Sequence, residues 1–438
     1  FNSWSDRRPI RVSNQKGFKS ERLGRVHARS RRSFGQDRFH CLNCTGLVLF
    51  LLLLSKVGRH LKGLSILGST GSVGVQTLDI IRTYPGKFDV VGIAANSHYE
   101  TLAQQEYEFY PSLVSCNSFP KIFEESLPKT TRLCSINEMS KAKDMDMLVT
   151  ATTGYASLIP TFQAIEHGKS IAIANKESVI MAGQYLIDYA KDHEASLFPI
   201  DSEPSAIWQC LRGEESSIHR LIITASGGPF RDTPLEQMKR VSPSDALRHP
   251  TWTMGAKISV DSATMMNKAF EVIEAKWLFG VEWDQIDVTI HPESIVHSIV
   301  EFQDGSSKSQ MSHPDMRLPI QHALFYPKRP LNPNVTRYVP SVAGNLTFQD
   351  LEPERYPCFD MALNFAKRGG TWPSALCGAD EGAVQAFLSG KISFPEIPQV
   401  IESALKFYQS KKEPSLEQLT EAFDWGVTKV RNLSGVEA

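Results

Sequence analysis

The sequence lacks the features that would place it in several common classes. Its seven cysteines (Cys41, Cys44, Cys116, Cys134, Cys210, Cys358 and Cys377) are odd in number and scattered over 438 residues. That excludes a disulfide framework and points to a reducing compartment. Cys41 and Cys44 form a lone CxxC with no second pair and no histidine pair nearby, a coincidence rather than a zinc motif. The apolar run from Leu47 to Leu54 has eight residues, against the roughly 20 that a membrane-spanning helix takes. Basic charge is also missing where a nucleic-acid binder would need it. The net charge is −1, but residues 1–62 hold 14 Lys/Arg against 3 Asp/Glu, leaving 33 basic and 45 acidic residues in the remainder. A body this acidic is no general binder of nucleic acid, so an anionic ligand must be met by a local pocket.

What is present is a globular composition, 41% hydrophobic and 22% charged, enough for two or three domains. The first forty residues are Arg- and Ser-rich with few acids, as in a transit peptide. With the short apolar run behind them and Phe1 at the start, residues 1–62 are expected to be a leader or a wrongly assigned N-terminal stretch outside the folded body. A genuine leader would imply the plastid stroma; otherwise the expectation is the cytoplasm of a bacterium.

Order begins at Leu64. LSIL reads as a short buried strand, GSTGSVG (Gly68 to Gly74) follows at once, and VQTLDIIRTY continues with helical periodicity. A strand, a glycine-rich turn and a helix start make a phosphate cradle, because backbone N–H groups and the helix dipole face the anion. The glycine spacing departs from the common dinucleotide fingerprint, and a tight turn without ligand fits the same residues. The next strand, FDVVGIAAN, ends at Asn96, Ser97 and His98, where such folds contact the adenosine ribose. No Asp or Glu stands there, which favours NADP over NAD. Further alternation of strand and helix predicts a doubly wound α/β domain. In it SIAIANKESVIMAG places Asn175, Lys176 and Glu177 directly after a buried strand, the usual location of ligand groups in open α/β sheets.

A second unit opens with SLFPIDSEPSAIWQCL. In extended backbone Asp201 and Glu203 would point the same way and repel unless a cation or a proton sat between them; a solvated acid pair is the bland alternative. LIITASGGPF then supplies Ser226, Gly227 and Gly228, a second turn able to bind an anion. RHPTWTMG (Arg248 to Gly255) is too short and mixed for a buried element and suits a lid, although Trp252 would also serve as a core anchor. In ISVDSATMMNKAFEVIEAKW, Ile258 and Val260 alternate like a strand tip and Asp261 and Ser262 offer cap chemistry. Met266, Phe270, Ile273 and Trp277 then recur at helical spacing. Asn267, Lys268, Glu271 and Glu274 fall on neighbouring faces of that helix. A surface helix with an ordinary Lys268–Glu271 pair would read the same way. Glu271 with Asp201 and Glu203 would make three hard oxygen ligands, suited to Mg²⁺ or Mn²⁺ rather than zinc. VTIHPESIVHSIVEF reads as a strand pair carrying Ser294 and His297, the latter a satisfied core or interface histidine. Residues 328–351 are Pro- and Asn-rich, a linker. Beyond it Ile397, Val400, Ile401, Leu405 and Tyr408 form one apolar stripe, and Ser415 to Gln418 is a capping box. No chemistry beyond packing is expected there.

Taken in order, GSTGSVG, NKES, DSE, ASGGPF, HPTWTMG, SVDSATMMNK with Glu271, HPESIVHS and PDMRLPI resemble the 1-deoxy-D-xylulose 5-phosphate reductoisomerase family from about Leu64 to the C-terminus. The resemblance implies an NADPH-binding Rossmann-like domain (63–200), an α+β catalytic and metal-binding domain with a mobile lid (201–327), the linker, and a C-terminal helical bundle (352–438). It implies a homodimer acting on a small phosphosugar, with no nucleic-acid or membrane partner. Thr70, Gly71, Ser72 and Val73 would hold the cofactor phosphates, and Asn96, Ser97 and His98 would lie near the 2′-phosphate. Asn175, Glu177 and Gly255 would also touch NADPH. Asp201, Glu203 and Glu271 would bind Mn²⁺, Mg²⁺ or Co²⁺. Ser226, His249, Ser262, Asn267 and Lys268 would hold the substrate phosphate region, Lys176, Ser202 and the metal-binding carboxylates its reacting end, and Trp252 would cover it. Lys176, Asp201, Glu203 and Glu271 are the implied catalytic set. The chain departs from the family pattern at Pro204, where histidine is common, at Asn96-Ser97, at SSKSQMSHPDM, and at Cys377-Gly-Ala-Asp380-Glu381, which replaces a pattern like NAANE. A metal-dependent phosphosugar lyase or aldolase that does without NADPH, and a degenerate paralogue serving as a scaffold, are the competing readings.

Overall fold

The structure is a computed structural model that describes residues 61–436 apart from Thr253. Residues 1–60 of the expected leader, with its apolar run and the Cys41–Cys44 pair, lie outside the described residues, whereas Lys62, read as the leader's last residue, already belongs to the first strand. The fold starts with a strand, β1 (Lys62–Leu67), whose Leu64, Ile66 and Leu67 are fully buried. It turns at Gly68 into helix α1 (Ser72–Thr83). Gly68 has φ +85°, and a Cβ there would fall 2.3 Å from the Ala151 carbonyl, so only glycine allows the turn to lie against the neighbouring strand end.

Six more strands extend β1 into a seven-stranded sheet: β2 (Phe88–Ala95), β3 (Leu113–Cys116), β4 (Arg132–Leu133), β5 (Met147–Thr150), β6 (Ser170–Ile173) and β7 (Leu197–Pro199). Their order is β4-β3-β2-β1-β5-β6-β7, and every pair is parallel. Near-continuous apolar strands such as MLVT and SIAI are what a sheet covered by helices on both faces requires. The order reverses beside β1, so the crevice beyond the carboxyl ends of β1 and β5 is the topological switch point where such sheets hold ligands. Two helices start at the carboxyl ends of neighbouring strands: α2 (Lys176–Asp192) leaves β6, and α3 (Ser202–Cys210) leaves β7.

A second sheet comprises β8 (Ile218–Ala225), β9 (Ile286–Ile290), β10 (Val296–Phe302), β11 (Ser307–Met311) and β12 (Gln349–Asp350), ordered β11-β10-β8-β9-β12. The β8–β9 pair is parallel and the others antiparallel. The two strands expected in VTIHPESIVHSIVEF are β9 and β10, which lie on either side of β8 and do not pair with each other. The stretch read as a linker contributes β12 to this sheet.

The expected strand tip at Ile258 to Val260 is instead helix α4 (Ala256–Thr264), followed by α5 (Met266–Phe279). Between them Met265 takes a left-handed conformation, φ 61°. Ser259, Val260 and Ala263 are buried at helical spacing, and tertiary packing of that stripe overrides the strand preference of Ile and Val. Helix α5 is no surface helix: Lys268, Glu271 and Glu274 are 5%, 1% and 0% exposed.

The remainder is helical as expected: α6 (Pro357–Ala366), α7 (Trp372–Leu388), α8 (Glu396–Leu405) and α9 (Leu416–Ser434). Ser415 and Gln418 form the capping box of α9, and Ile397, Ile401 and Leu405 are fully buried. Helices α7 and α9 meet at glycine. A Cβ on Gly378 would fall 1.9 Å from the Phe423 carbonyl, and one on Gly426 would fall 2.4 Å from that of Ala375. Gly378→Ala is expected to force the helices apart at a cost of about 1–3 kcal/mol and to lower the melting midpoint by several degrees. Calorimetry reads this directly, and an unshifted midpoint would contradict the close approach.

Candidate active site

Three charged side chains of the site, Lys176, Asp201 and Glu203, stand just beyond strand ends, where a helix start fixes them. After β6, Asn175 caps α2: its Oδ1 accepts from Ser178 N at 3.2 Å, and its amide donates to Thr152 O, Gly154 O and Glu177 Oε2 at 3.0, 2.7 and 3.0 Å. Lys176 is the first residue of that helix. After β7, Asp201 caps α3, accepting from Ser202 N at 3.0 Å, and Glu203 lies in the first turn. Asp201 and Glu203 are therefore not alternate residues of an extended strand, as expected from the sequence. A helix start brings them together, because an aspartate there satisfies a backbone N–H that has no acceptor within the helix. The same geometry explains Pro204: in the first turn its missing N–H removes no helical hydrogen bond.

Helix α5 brings the third acid. One ligand oxygen each from Asp201, Glu203 and Glu271 lie within 4.8 Å of one another, the one such group of three among the described residues. Two ammonium groups hold them there. Lys176 Nζ is 2.7 Å from Asp201 Oδ2, 2.6 Å from Asn267 Oδ1 and 3.4 Å from Glu271 Oε1. Lys268 Nζ is 2.7 Å from Glu203 Oε1 and 2.6 Å from Thr224 O, and it also donates to Glu271. Asn267 donates to Glu271 Oε1 at 2.5 Å, and Ser202 Oγ to Glu203 Oε2 at 2.6 Å.

The charge balance is incomplete. Burial works against the ammonium of Lys176, but Asp201, Glu271 and Glu274 outweigh it and hold the lysine charged. Glu203 is likewise held ionised: burial opposes its charge and Lys268 outweighs it. Burial and then Glu203 push Glu271 up to about 7, more than Lys268 and Lys176 pull it down. Asp201 Oδ2 has its ion pair but no aligned hydrogen bond, and neither oxygen of Glu274, one turn along α5, has a hydrogen-bond partner. Three clustered carboxylates with an excess of buried negative charge are a donor set that fits a hard divalent cation.

Beside the cluster, Ser226 stands just past β8. His249 Nδ1 accepts from Thr251 N and Trp252 N at 3.1 and 2.9 Å. The ring proton is therefore on Nε2, which donates to Ser226 Oγ at 3.0 Å. Burial, with Lys268 nearby, lowers its pKa to about 4, so the imidazole is neutral at physiological pH. The Trp252 ring lies 6.3 Å from that of His297, which is bonded to Ser312 at 2.9 Å and satisfied, as expected.

One cavity of about 440 Å³ joins these groups. It is lined by Ser72 and Val73 of the α1 turn, by Lys176, Asp201, Ser202, Glu203, Ser226, His249, Trp252, Gly255 and Ser262, and by Asn267, Lys268 and Glu271. Thr70 and Gly71, in the same turn, do not line it; nor do Asn96, Ser97 and His98 at the end of β2. Asn175 and Glu177 also stand outside it, bracing the loop after β5. Sequence reasoning missed Gln76, Asp315 and Arg317, and it gave no role to Ser294 or Met316; all five line the cavity. The available signal was PDMR beside PES, two short loops with charged or hydroxyl groups at a strand end. A second cavity, about 660 Å³, opens among α6, α8 and residues 235–239, and none of the expected site residues lines it.

Because Glu271 is held above its ordinary 4.5, the folded protein keeps a proton that the unfolded chain loses between about 4.5 and 7. Stability from this group therefore falls as pH rises through that window. A divalent cation needs the ionised form, so the melting-temperature increment from Mn²⁺ is expected to be larger at pH 8 than at pH 6. Thermal melts with and without the ion test this; equal increments would remove Glu271 from the cation site.

Comparison with known proteins agrees with this geometry. Residues 64–183 match the family description 1-deoxy-D-xylulose 5-phosphate reductoisomerase, residues 197–279 its C-terminal domain, and residues 311–428 the DXP reductoisomerase C-terminal domain. Proteins of the first name from Pelotomaculum thermopropionicum and Acaryochloris marina are 42% and 43% identical. They match over 85% of this chain and cover 100% and 96% of their own lengths. The solved structure of the Zymomonas mobilis enzyme in complex with NADPH is 35% identical, with a TM-score of 0.78 over 86% of this chain and 100% of that one. A DOX-P reductoisomerase in complex with NADPH, fosmidomycin and magnesium is 36% identical, with the same TM-score, over 86% of this chain and 98% of that one. The chain belongs to the 1-deoxy-D-xylulose 5-phosphate reductoisomerase family.

Proposed function

We propose that this chain converts 1-deoxy-D-xylulose 5-phosphate to 2-C-methyl-D-erythritol 4-phosphate, with NADPH as reductant and a divalent cation, in the methylerythritol phosphate route to isoprenoids. The observation that carries the reading is a single cavity in which the start of α1 and three carboxylates from two distant segments face one another. A lyase or aldolase without NADPH would have no use for the start of α1, Ser72 and Val73, lining the same space.

Asp201, Glu203 and Glu271 would hold the cation, and the turn Thr70 to Val73 would hold the NADPH phosphates, with Asn96, Ser97 and His98 further along the cofactor. When bound, the cation supplies Lewis acidity towards the substrate carbonyl and its neighbouring hydroxyl, and NADPH supplies hydride. The protein's own groups orient the substrate. Lys176 and Ser202 face its reacting end, with an ammonium kept charged by its acidic neighbours. Ser226, neutral His249, Ser262 and Asn267 offer donors and acceptors to its phosphate region. Lys268 is tied to Glu203 and Glu271 and is free for the phosphate only when another positive charge compensates those acids. Gripping a remote phosphate fixes the reacting carbons, converting binding energy into orientation. Residues 248–255, with Trp252 against His297, would close over the substrate and exclude water.

The same reading carries a homodimer, for which the exposed edge strand β11 leaves backbone groups open. Among the described residues no helix is long and apolar enough to cross a membrane. The compartment depends on the first sixty-two residues: a genuine basic leader directs the chain to the plastid stroma, and without one it remains in the cytoplasm of a bacterium.

The test is NADPH oxidation with 1-deoxy-D-xylulose 5-phosphate and Mg²⁺ or Mn²⁺. The full chain is expected to turn over only with the cation present. Glu271→Gln should lower kcat/KM by about a hundredfold or more while leaving the fold intact by circular dichroism. Absence of cation-dependent NADPH consumption by the unmodified chain would remove the assignment.

A further inference from the structure

The cavity lined by the three clustered carboxylates has a second wall, made by Ser72, Val73 and Gln76 of α1 together with Pro314, Asp315, Met316 and Arg317. Arg317 begins a short helix, Arg317–Phe325, whose Ile320, Ala323 and Leu324 are buried in one core cluster with Leu78 and Ile81 of α1. The far end of that helix rests on the far end of α1. The Tyr84 hydroxyl lies 3.0 Å from Gln321 Oε1, and the Tyr84 ring is 4.6 Å from that of Phe325. Lys62 Nζ, at the start of β1, donates to Leu324 O at 3.1 Å. The two helices therefore run side by side in one direction, and Arg317 comes beside the start of α1, at the carboxyl edge of the parallel sheet.

Its guanidinium is held in one orientation. Asp315 Oδ1 accepts from the Arg317 backbone N–H and from Nε, each at 2.9 Å, and Oδ2 accepts from Nη2 at 2.7 Å. Nη1 makes no hydrogen bond among the described residues, and 30% of the side chain is exposed. A carboxylate on one edge of the fork leaves the other edge for a second acceptor.

The charges around the cavity single this residue out. Lys176, Lys268 and Arg317 are the cationic side chains that line it. Both lysines are paired with Asp201, Glu203 or Glu271 at the carboxylate end. The turn Gly68 to Gly74 contains no Lys or Arg, and neither does Asn96 to His98. An anion lying against the start of α1 would therefore meet Arg317 as the cationic side chain of that wall. In a dinucleotide-binding sheet the group that lies there is the diphosphate, at the start of the first helix.

We propose that Arg317 binds the diphosphate of NADPH, and that Asp315 positions its guanidinium so that Nη1 is presented to the cofactor. This rests on the proposed use of NADPH. The substrate phosphate has its own candidates in Ser226, Ser262, Asn267 and Lys268, so the cofactor is the anion left for Arg317.

The experiment titrates NADPH into the full chain by tryptophan fluorescence without substrate, and measures the substrate KM separately with Mg²⁺ and saturating NADPH. Arg317→Met is expected to weaken NADPH binding about tenfold or more, the loss of one charge-assisted hydrogen bond, with the substrate KM within about twofold of the unmodified chain. Asp315→Asn removes a negative charge from the cavity wall and on charge alone would strengthen NADPH binding; a positioning role makes binding about threefold weaker instead. A crystal structure of the unmodified chain with NADPH, which needs no variant to fold, is expected to place Nη1 about 3 Å from a diphosphate oxygen. The proposal is overturned if Arg317→Met binds NADPH within about twofold of the unmodified chain, if the substrate KM alone rises, or if Nη1 meets the 2′-phosphate or no phosphate. Tighter NADPH binding by Asp315→Asn would overturn the role of Asp315. In each of these cases the unmodified chain still binds NADPH and the proposed reaction stands; an unmodified chain that binds no NADPH would defeat both.

Discussion

Asp201, Glu203 and Glu271 would drive one another apart were it not for the ammonium groups of Lys176 and Lys268 set between them. The architecture is built to meet that constraint. The carboxylates come from α3 and α5, and the lysines from α2 and α5. Compensation therefore requires two crossovers of the parallel sheet and one buried helix of the second unit to end at the same place. The parallel sheet supplies the means, since every strand delivers its following residue to the same edge and a helix start there fixes the side chain. Helix α5 supplies the rest: with Asn267, Lys268 and Glu271 one turn apart, it presents an amide, an ammonium and a carboxylate to one cavity.

Much of this was legible in the chain itself. Alternation of apolar strands with amphipathic helices gave the parallel sheet, and GSTGSVG marked its first turn because strand, glycine and helix start leave few other shapes. The three acids could be grouped by chemistry alone, since hard oxygen donors near one another need a cation. The local backbone that presents them was misread. DSEP looks like an extended segment until one knows that Asp201 has a helix to cap, and ISVDS looks like a strand until its buried stripe is seen to pack helically. Short segments of β-branched residues carry no periodicity strong enough to decide, and tertiary contacts decide for them.

What the sequence withheld was long-range pairing. Residues 63–200 and 352–438 read as separate domains, and nothing in CGADEG suggested that Asp380 reaches an ammonium 123 positions earlier. The C-terminal helices were assigned to packing, yet they supply Asp380, whose Oδ2 is 2.7 Å from Lys257 Nζ, an ammonium already paired with buried Asp261. The departure from an NAANE-like pattern acquires a physical meaning in this setting. An acid at position 380 adds negative charge to a buried group that already holds too much of it, and it makes the lysine more necessary than an amide would.

The two lysines among the clustered carboxylates carry a consequence for how the protein is assembled. A zinc finger is unfolded until its ion arrives, because nothing else gathers the ligands. Here ammonium groups of the chain gather the acids, so the cluster forms before any ion arrives.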